Sequence, residues 1–243
     1  VIKSLFFLGL LLVLSGLFAD NEYSISLDSG ESFYINDGDD ALDISDEWTI
    51  ETWANIGSYV PGAWECILDR RTVFSFYIVD DITEPLGDYG VKFAVRDAEG
   101  IIAASIQTDA HESVTLNFNT WIHLAITYQD STLRFFVDDT EVYTVSDTSG
   151  VWSLTPSTNA LNIGGRYWGS FSRQMSDALI DEVRISDIAR DLEDIQTDVN
   201  DNPYTVDPNT VLLMNLNDAS DPPSYQSGTD PLLSGSAGDS NIG

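Results

Sequence analysis

The chain has 243 residues, 43% of them hydrophobic and 11% aromatic, which is enough apolar material for one large β-sandwich or two small domains. Forty Asp and Glu stand against ten Lys and Arg, a formal net charge of −30. That balance, with no basic patch, excludes nucleic acid as a partner and argues against an anionic membrane surface. The acidity has a bland reading, a solvated surface that keeps the chain soluble, and a sharper one, cation binding by oxygen ligands in particular loops.

In chain order, Lys3 precedes an apolar run over residues 5–14 broken only by Gly9, and Ser15-Gly-Leu-Phe-Ala19 has the small residue of a signal-peptidase site. The run is short for a membrane span and no lipid-anchor Cys follows it. The expectation is a secretory signal over residues 1–19, a secreted or cell-surface protein, and no membrane insertion after cleavage. Strands are expected at Tyr23–Leu27 and Glu31–Ile35, then across Asp46–Ile56, where Trp48, Ile50, Thr52 and Ala54 share one face and Glu51 and Trp53 the other. Further strands are expected at 64–68, 73–79, 90–96 and 101–107, with turn signals between them. Cys66 is the only cysteine, so an intrachain disulfide is impossible and a buried packing role is expected.

The second half continues with Trp121-Ile-His-Leu-Ala-Ile-Thr-Tyr128, Leu133–Val137, Thr140–Val145, Leu161-Asn-Ile-Gly-Gly165 and Ala178-Leu-Ile-Asp-Glu-Val-Arg-Ile-Ser186. Each alternates apolar and polar residues between turn residues. Asp187–Ile195 is the one helix candidate, capped by Ser186 or Asp187, with Ile188, Leu192 and Ile195 on a shared face. Asn209–Leu216 is expected as a closing strand that pairs with the N-terminal one. From Asn217 the composition turns to Asp, Ser, Gly and Pro, so residues 218–243 read as a flexible tail or a linker to a further module.

The Trp121–Tyr128 strand, the Ile-Gly pair at 163–164 and the Ile180-Asp-Glu-Val-Arg-Ile185 strand resemble the laminin-G-like jelly rolls, the concanavalin A-like lectin/glucanase domains. The resemblance covers about residues 23–216. It implies an all-β antiparallel sandwich over residues 20–217, with one short helix near its C-terminal end. It also implies a non-catalytic recognition role.

Hydrolases of this fold place carboxylates two residues apart on one strand face, and no such E-x-D-x-x-E pattern is present. Asp181 and Glu182 are adjacent, so alternation should send them to opposite faces. His111 and His123 are the only histidines, and His123 on its strand is expected to be structural. The resemblance further implies a structural Ca²⁺, with Asp28 and Asp181 as its ligands. For Asp181 a metal role and plain hydrogen bonding both stay open. Other acidic loops hold Asn36, Asp37, Asp39 and Asp40, then Asp80 and Asp81. Asp138 and Asp139 are expected to make only a turn, with Asp139 replacing the family's usual glycine.

Glycan sites combine aromatic faces with groups that bond hydroxyls. Trp64, Tyr77, Trp152, Tyr167 and Trp168 fall in or beside expected loops, and the glycine-flanked Arg166, Tyr167 and Trp168 are the candidate ligand contacts. Trp48, Trp53 and Trp121 are expected in the core. The leading expectation is an extracellular module that binds a glycan or glycoprotein for adhesion or substrate targeting, with Ca²⁺ dependence open. The alternatives are a self-associating subunit of a surface layer, matrix or filament, and a polysaccharide hydrolase or lyase.

Overall fold

The computed structural model describes residues 24–28, 32–36, 40, 42–44, 46–58, 64–80, 89–107, 116–146, 149–168, 171–175, 177–195, 204–214, 224–225, 235–236 and 238–239. Residues 1–19, where a secretory signal is expected, and His111 lie outside these.

Two seven-stranded antiparallel sheets pack face to face. The first holds β1 (Ile25–Asp28), β3 (Trp48–Ile56), β8 (Trp121–Gln129), β9 (Thr132–Val137), β10 (Thr140–Ser146), β14 (Asp177–Ser186) and β15 (Thr210–Met214). Their order is β1-β14-β3-β8-β9-β10, and β15 also pairs with β14. The second holds β2 (Phe33–Ile35), β4 (Trp64–Arg70), β5 (Phe74–Asp80), β6 (Tyr89–Arg96), β7 (Ile102–Gln107), β11 (Leu161–Ile163) and β18 (Gly238–Asp239), in the order β18-β2-β11-β4-β5-β6-β7. A hairpin of β12 (Gly165–Trp168) and β13 (Phe171–Gln174) stands apart from both sheets, as does the pair β16 (Ser224–Tyr225) and β17 (Gly235–Ser236).

The strand phase follows the apolar alternation. Trp48, Ile50 and Ala54 of β3 enter the core beside Ile122, Leu124 and Ile126 of β8. Phe76 of β5 meets Phe135 of β9 with ring centroids 6.2 Å apart, and Trp48 lies 5.3 Å from Phe93, so aromatic pairs fill the space between the sheets. Each fully buried large apolar side chain here contributes about 1.5–3 kcal/mol.

Several expectations change. The 210–214 strand pairs with β14, at Val183↔Met214 and Leu213↔Arg184, and not with β1. Because β14 is ten residues long, β1 and β15 share one of its edges, one after the other, while β3 takes the opposite edge. The helix shrinks to one turn over residues 192–195. Asp191 caps it, its carboxylate accepting the Asp194 amide at 3.0 Å. The earlier residues are drawn onto the sheet, with Thr49 Oγ1 donating to the Ile188 carbonyl at 2.8 Å. Of the expected shared face, Ile195 is buried and Leu192 is exposed. In the tail, Gly238 pairs with Tyr34 and Asp239 with Phe33, so part of it extends the second sheet.

Candidate functional site

Two polar assemblies sit on the outward faces of the sandwich. On the first sheet, Glu51 lies on the polar face of β3, yet it is fully buried. The Arg184 guanidinium of β14 donates to Glu51 Oε1 at 2.7 Å, and His123 Nε2 of β8 lies 3.2 Å from Oε2. Arg190 approaches at 3.7 Å and bonds Asp207 at 2.7 Å. Residues 187–195 and 204–210 lie against this cluster, with Ile195 packed on Ala125 and Phe136. Arg184 lies over the Tyr204 ring at 4.1 Å. Burial alone would raise the Glu51 pKa, but Arg184, His123 and Arg190 overcome that and hold it at about 2.

Asp181 and Glu182 stand beside this cluster. Between Asp181 and Arg184 the β14–β3 register shifts, and Glu182 has φ 50°. This bulge breaks the expected alternation, so both carboxylates are buried. Burial first, and the neighbouring Asp181 second, push the Glu182 pKa up to about 8. Glu182 Oε2 accepts the Tyr204 amide at 3.1 Å. Asp181 Oδ1 accepts the Glu182 amide at 2.8 Å, and its carbonyl accepts Thr52 Oγ1 at 2.9 Å.

The two residues assigned to calcium are not brought together. Asp28 pairs with Asp177, four residues along β14 from Asp181, or roughly 13 Å of strand. The side chain of Asp28 lies outside the described ones. Among the described residues no three His, Cys, Asp or Glu groups are placed to hold a metal ion. Asp138, with φ 52°, turns the chain while its carboxylate accepts the His123 amide at 3.0 Å, the turn chemistry expected there. Asp37, Asp39 and Asp81 lie outside the described residues.

On the second sheet, the β12–β13 hairpin packs on β4. Arg166 faces the sheet, its Nη1 donating to the Tyr77 hydroxyl at 2.9 Å and its Nε lying 3.6 Å from Asp69. Arg96 donates to the same hydroxyl at 2.7 Å, to the Gly100 carbonyl at 2.9 Å and to Ser75 Oγ at 2.8 Å. Ser75 Oγ in turn donates to Asp69. Burial pushes the Asp69 carboxyl up against the pull of Ser75 and the arginines, and burial likewise raises the Tyr77 phenol. At the margin, Trp64 and Lys92 are half-buried, with the Lys92 ammonium 4.1 Å from the Trp64 ring centroid. The Trp64 and Tyr77 rings are 5.7 Å apart, and exposed Gln107 pairs with Lys92 across β6 and β7.

Of the proposed ligand contacts, Arg166 is therefore mostly occupied in anchoring the hairpin. The backbones of Tyr167 and Trp168 lie on the same hairpin, and their side chains lie outside the described ones. Trp152 is buried, its carbonyl accepting Trp48 Nε1 at 3.3 Å, so it packs the core and is no surface platform. Tyr77 is buried mid-strand and not in a loop. Trp121, expected in the core, opens β8 at 37% exposure, while Trp53 is half-buried on the outward face, 5.3 Å from His123. Cys66 is buried against the Leu68 and Phe76 carbonyls, as a packing residue. The sequence signal for both outward networks was charge at strand-interior positions on the polar phase: Glu51, His123 and Arg184, and Asp69 and Arg96.

Two antiparallel sheets, a hairpin clamped over one and a strap over the other define a jelly-roll sandwich of the lectin type. The chain belongs to the concanavalin A-like lectin/glucanases superfamily, whose third laminin-G family profile matches residues 18–196. No curated protein sequence matches it. Among solved structures it is similar to a candidate carbohydrate-binding protein of Bacteroides ovatus ATCC 8483, at 16% identity and TM-score 0.65, over 89% of this chain and 58% of that one. It is also similar to the binding domain of Paraclostridial Mosquitocidal Protein 1, at 14% identity and TM-score 0.55, over 73% of this chain and 43% of that one. A heptameric SAP-like pentraxin of Limulus polyphemus matches at 12% identity and TM-score 0.52, over 72% and 80%. The chain thus spans less than two thirds of the first two proteins.

Proposed function

We propose that this domain is a non-catalytic extracellular module that binds glycan, or the glycan of a glycoprotein, on the outward face of β4, β5 and β6 beside the β12–β13 hairpin. The observation that carries the reading is the half-buried Trp64, stacked with Lys92 beside a hairpin that Arg166 pins to the sheet. An aromatic face with amide and cationic neighbours on rigid strands suits a sugar ring better than a flat polar surface does. The binding roles of the Bacteroides protein and the mosquitocidal toxin domain agree with it. The leader over residues 1–19 would deliver the domain outside the cell.

The test is retention of the full chain on immobilised neutral and acidic oligosaccharides, with Ca²⁺ and with EDTA. Retention on one class, weakened roughly tenfold by Trp64→Ala in a folded variant, is expected. A folded protein retained on no glycan under either condition overturns the reading.

Self-association is the second reading, and β7 favours it. This strand ends the second sheet among the described residues, carries no charge over Ile102–Gln107, and leaves Ile101 56% and Ile102 37% exposed. Uncharged edges without Lys or Pro invite pairing. Sedimentation velocity of Ile102→Lys against the parent chain tests it: a dimer lost in the variant supports assembly, and a parent monomer at high concentration removes it.

A further inference from the structure

We propose that a cavity on the outward face of the first sheet, between β8–β10 and residues 189–192, is a second ligand site that takes a single neutral sugar ring. It lies on the opposite sheet from the face proposed above and stands whether or not that face binds glycan. The cavity measures about 240 Å³. Its walls include Gln129 of β8, Arg134 and Phe136 of β9, Glu141 of β10, and Asp191 and Leu192 from the segment laid on the sheet. Pockets for larger ligands begin at roughly 300 Å³, so this one suits one ring and not a chain.

Strand phase brings these groups together. Leu124 and Ile126 fill the core, so Ala125, Thr127 and Gln129 of β8 face outward. Phe136 is the register partner of Ala125 on one side and of Glu141 on the other, and Arg134 is that of Thr127. The wall opposite is anchored through Arg190. Its amide donates to Thr49 Oγ1 at 2.8 Å, and its guanidinium to Asp207 at 2.7 Å and Ser186 Oγ at 3.2 Å. Arg134 and Glu141 are partly exposed and meet at 3.7 Å, beyond hydrogen-bond length, so the guanidinium keeps donors and the carboxylate keeps lone pairs for a ligand. Thr127 gives a separate sign. Its hydroxyl is buried without a hydrogen-bond partner among the described residues, and its neighbours Gln129 and Arg134 line the cavity. A polar ligand, or a water carried with it, completes such a network. Donors on Arg134 and Gln129, acceptors on Glu141 and Asp191, and an apolar side from Leu192 and Phe136 match a ring whose hydroxyls donate and accept and whose C–H face is apolar. Two carboxylates against one uncommitted guanidinium disfavour an anionic sugar.

The experiment is calorimetric titration of the full chain with the methyl glycosides of glucose and galactose and of glucuronate and galacturonate. Arg134→Gln, Leu192→Trp and Trp64→Ala are titrated alongside, after thermal melts show which of them fold. Leu192 is 43% exposed, so a tryptophan there fills the cavity without entering the core. The expected result is binding of one neutral hexoside, roughly tenfold weaker for its uronate and roughly tenfold weaker in Arg134→Gln. Binding should be lost in Leu192→Trp and unchanged in Trp64→Ala. No neutral hexoside bound, a uronate bound as tightly as its hexoside, or an affinity unchanged in the cavity variants overturns the inference. A hexoside affinity lost in Trp64→Ala and unchanged in Arg134→Gln gives the sugar to the second sheet, which removes this site and leaves the glycan reading standing.

Discussion

Glu51 and Arg184 meet at 2.7 Å on neighbouring strands of the first sheet, on the face turned away from the core, and both are buried. A charge pair in that position depends on its cover. Removing one partner leaves the other as an uncompensated buried ion, which costs about 3–5 kcal/mol. Glu51→Gln should lower the free energy of unfolding by that order in urea titration. An effect under 1 kcal/mol would mean that water reaches the cluster.

The same pair sets the acid limit of stability. The Glu51 pKa is held below its unfolded value, at about 2. Its contribution is therefore present above about pH 4.5 and lost as pH falls towards 2. The melting temperature of the parent chain should drop through that window, with a smaller drop in Glu51→Gln.

Glu182 acts in the opposite direction. Its folded pKa is raised to about 8, so folding favours the protonated form. Stability from this group is complete below about pH 4.5 and is lost as pH rises through 8. Glu182→Gln keeps an acceptor for the Tyr204 amide and removes the titration. It should therefore melt higher than the parent at pH 9 and close to it at pH 5. A variant that tracks the parent at both values would place the alkaline loss elsewhere.

Calcium has a direct test at Asp181. Its oxygens serve the Glu182 amide and Thr52, and the register partner of Asp28 is Asp177, four residues from Asp181 along β14. Asp181→Ala is expected to lower the melting temperature equally in Ca²⁺ and in EDTA. A calcium-induced rise in the parent that Asp181→Ala abolishes would identify Asp181 as a ligand.

Gly164 has φ 77°, and a Cβ there would overlap Leu27 Cδ1 of β1. Gly164→Ala combines left-handed strain with a core clash and should cost about 2–3 kcal/mol, measured by urea unfolding. A neutral substitution would show that β1 can shift away.

The inward face was readable because its alternation is unbroken. Trp48, Ile50 and Ala54 declare their side of β3 before any partner is known. The outward face was not readable in the same way. Glu51 looks like an ordinary solvated residue until Arg190, Ile195 and Tyr204 pack around its cluster, and that cover is a tertiary event. Alternation also fails where a bulge intervenes, which is why Asp181 and Glu182 were sent to opposite faces. Trp152 and Trp121 exchanged places because loop or strand membership says little about depth: one loop dips under the sandwich rim and one strand begins at its edge. On the outward face of the second sheet, the Arg166 hairpin was visible through its glycines. The convergence of Lys92, Arg96 and Arg166 on Tyr77 needed the register of β4, β5 and β6.

The long β14 strand also dictates when this protein can fold. β1 has no other strand partner among the described residues, and β2 waits for β11. During synthesis the first strands therefore leave the ribosome well over a hundred residues before their neighbours exist, so they wait as unpaired apolar segments. Closure follows only after the 210–214 segment emerges. Such late, non-local pairing makes folding slow, and the nascent chain is the stage at which this sandwich is most exposed to aggregation.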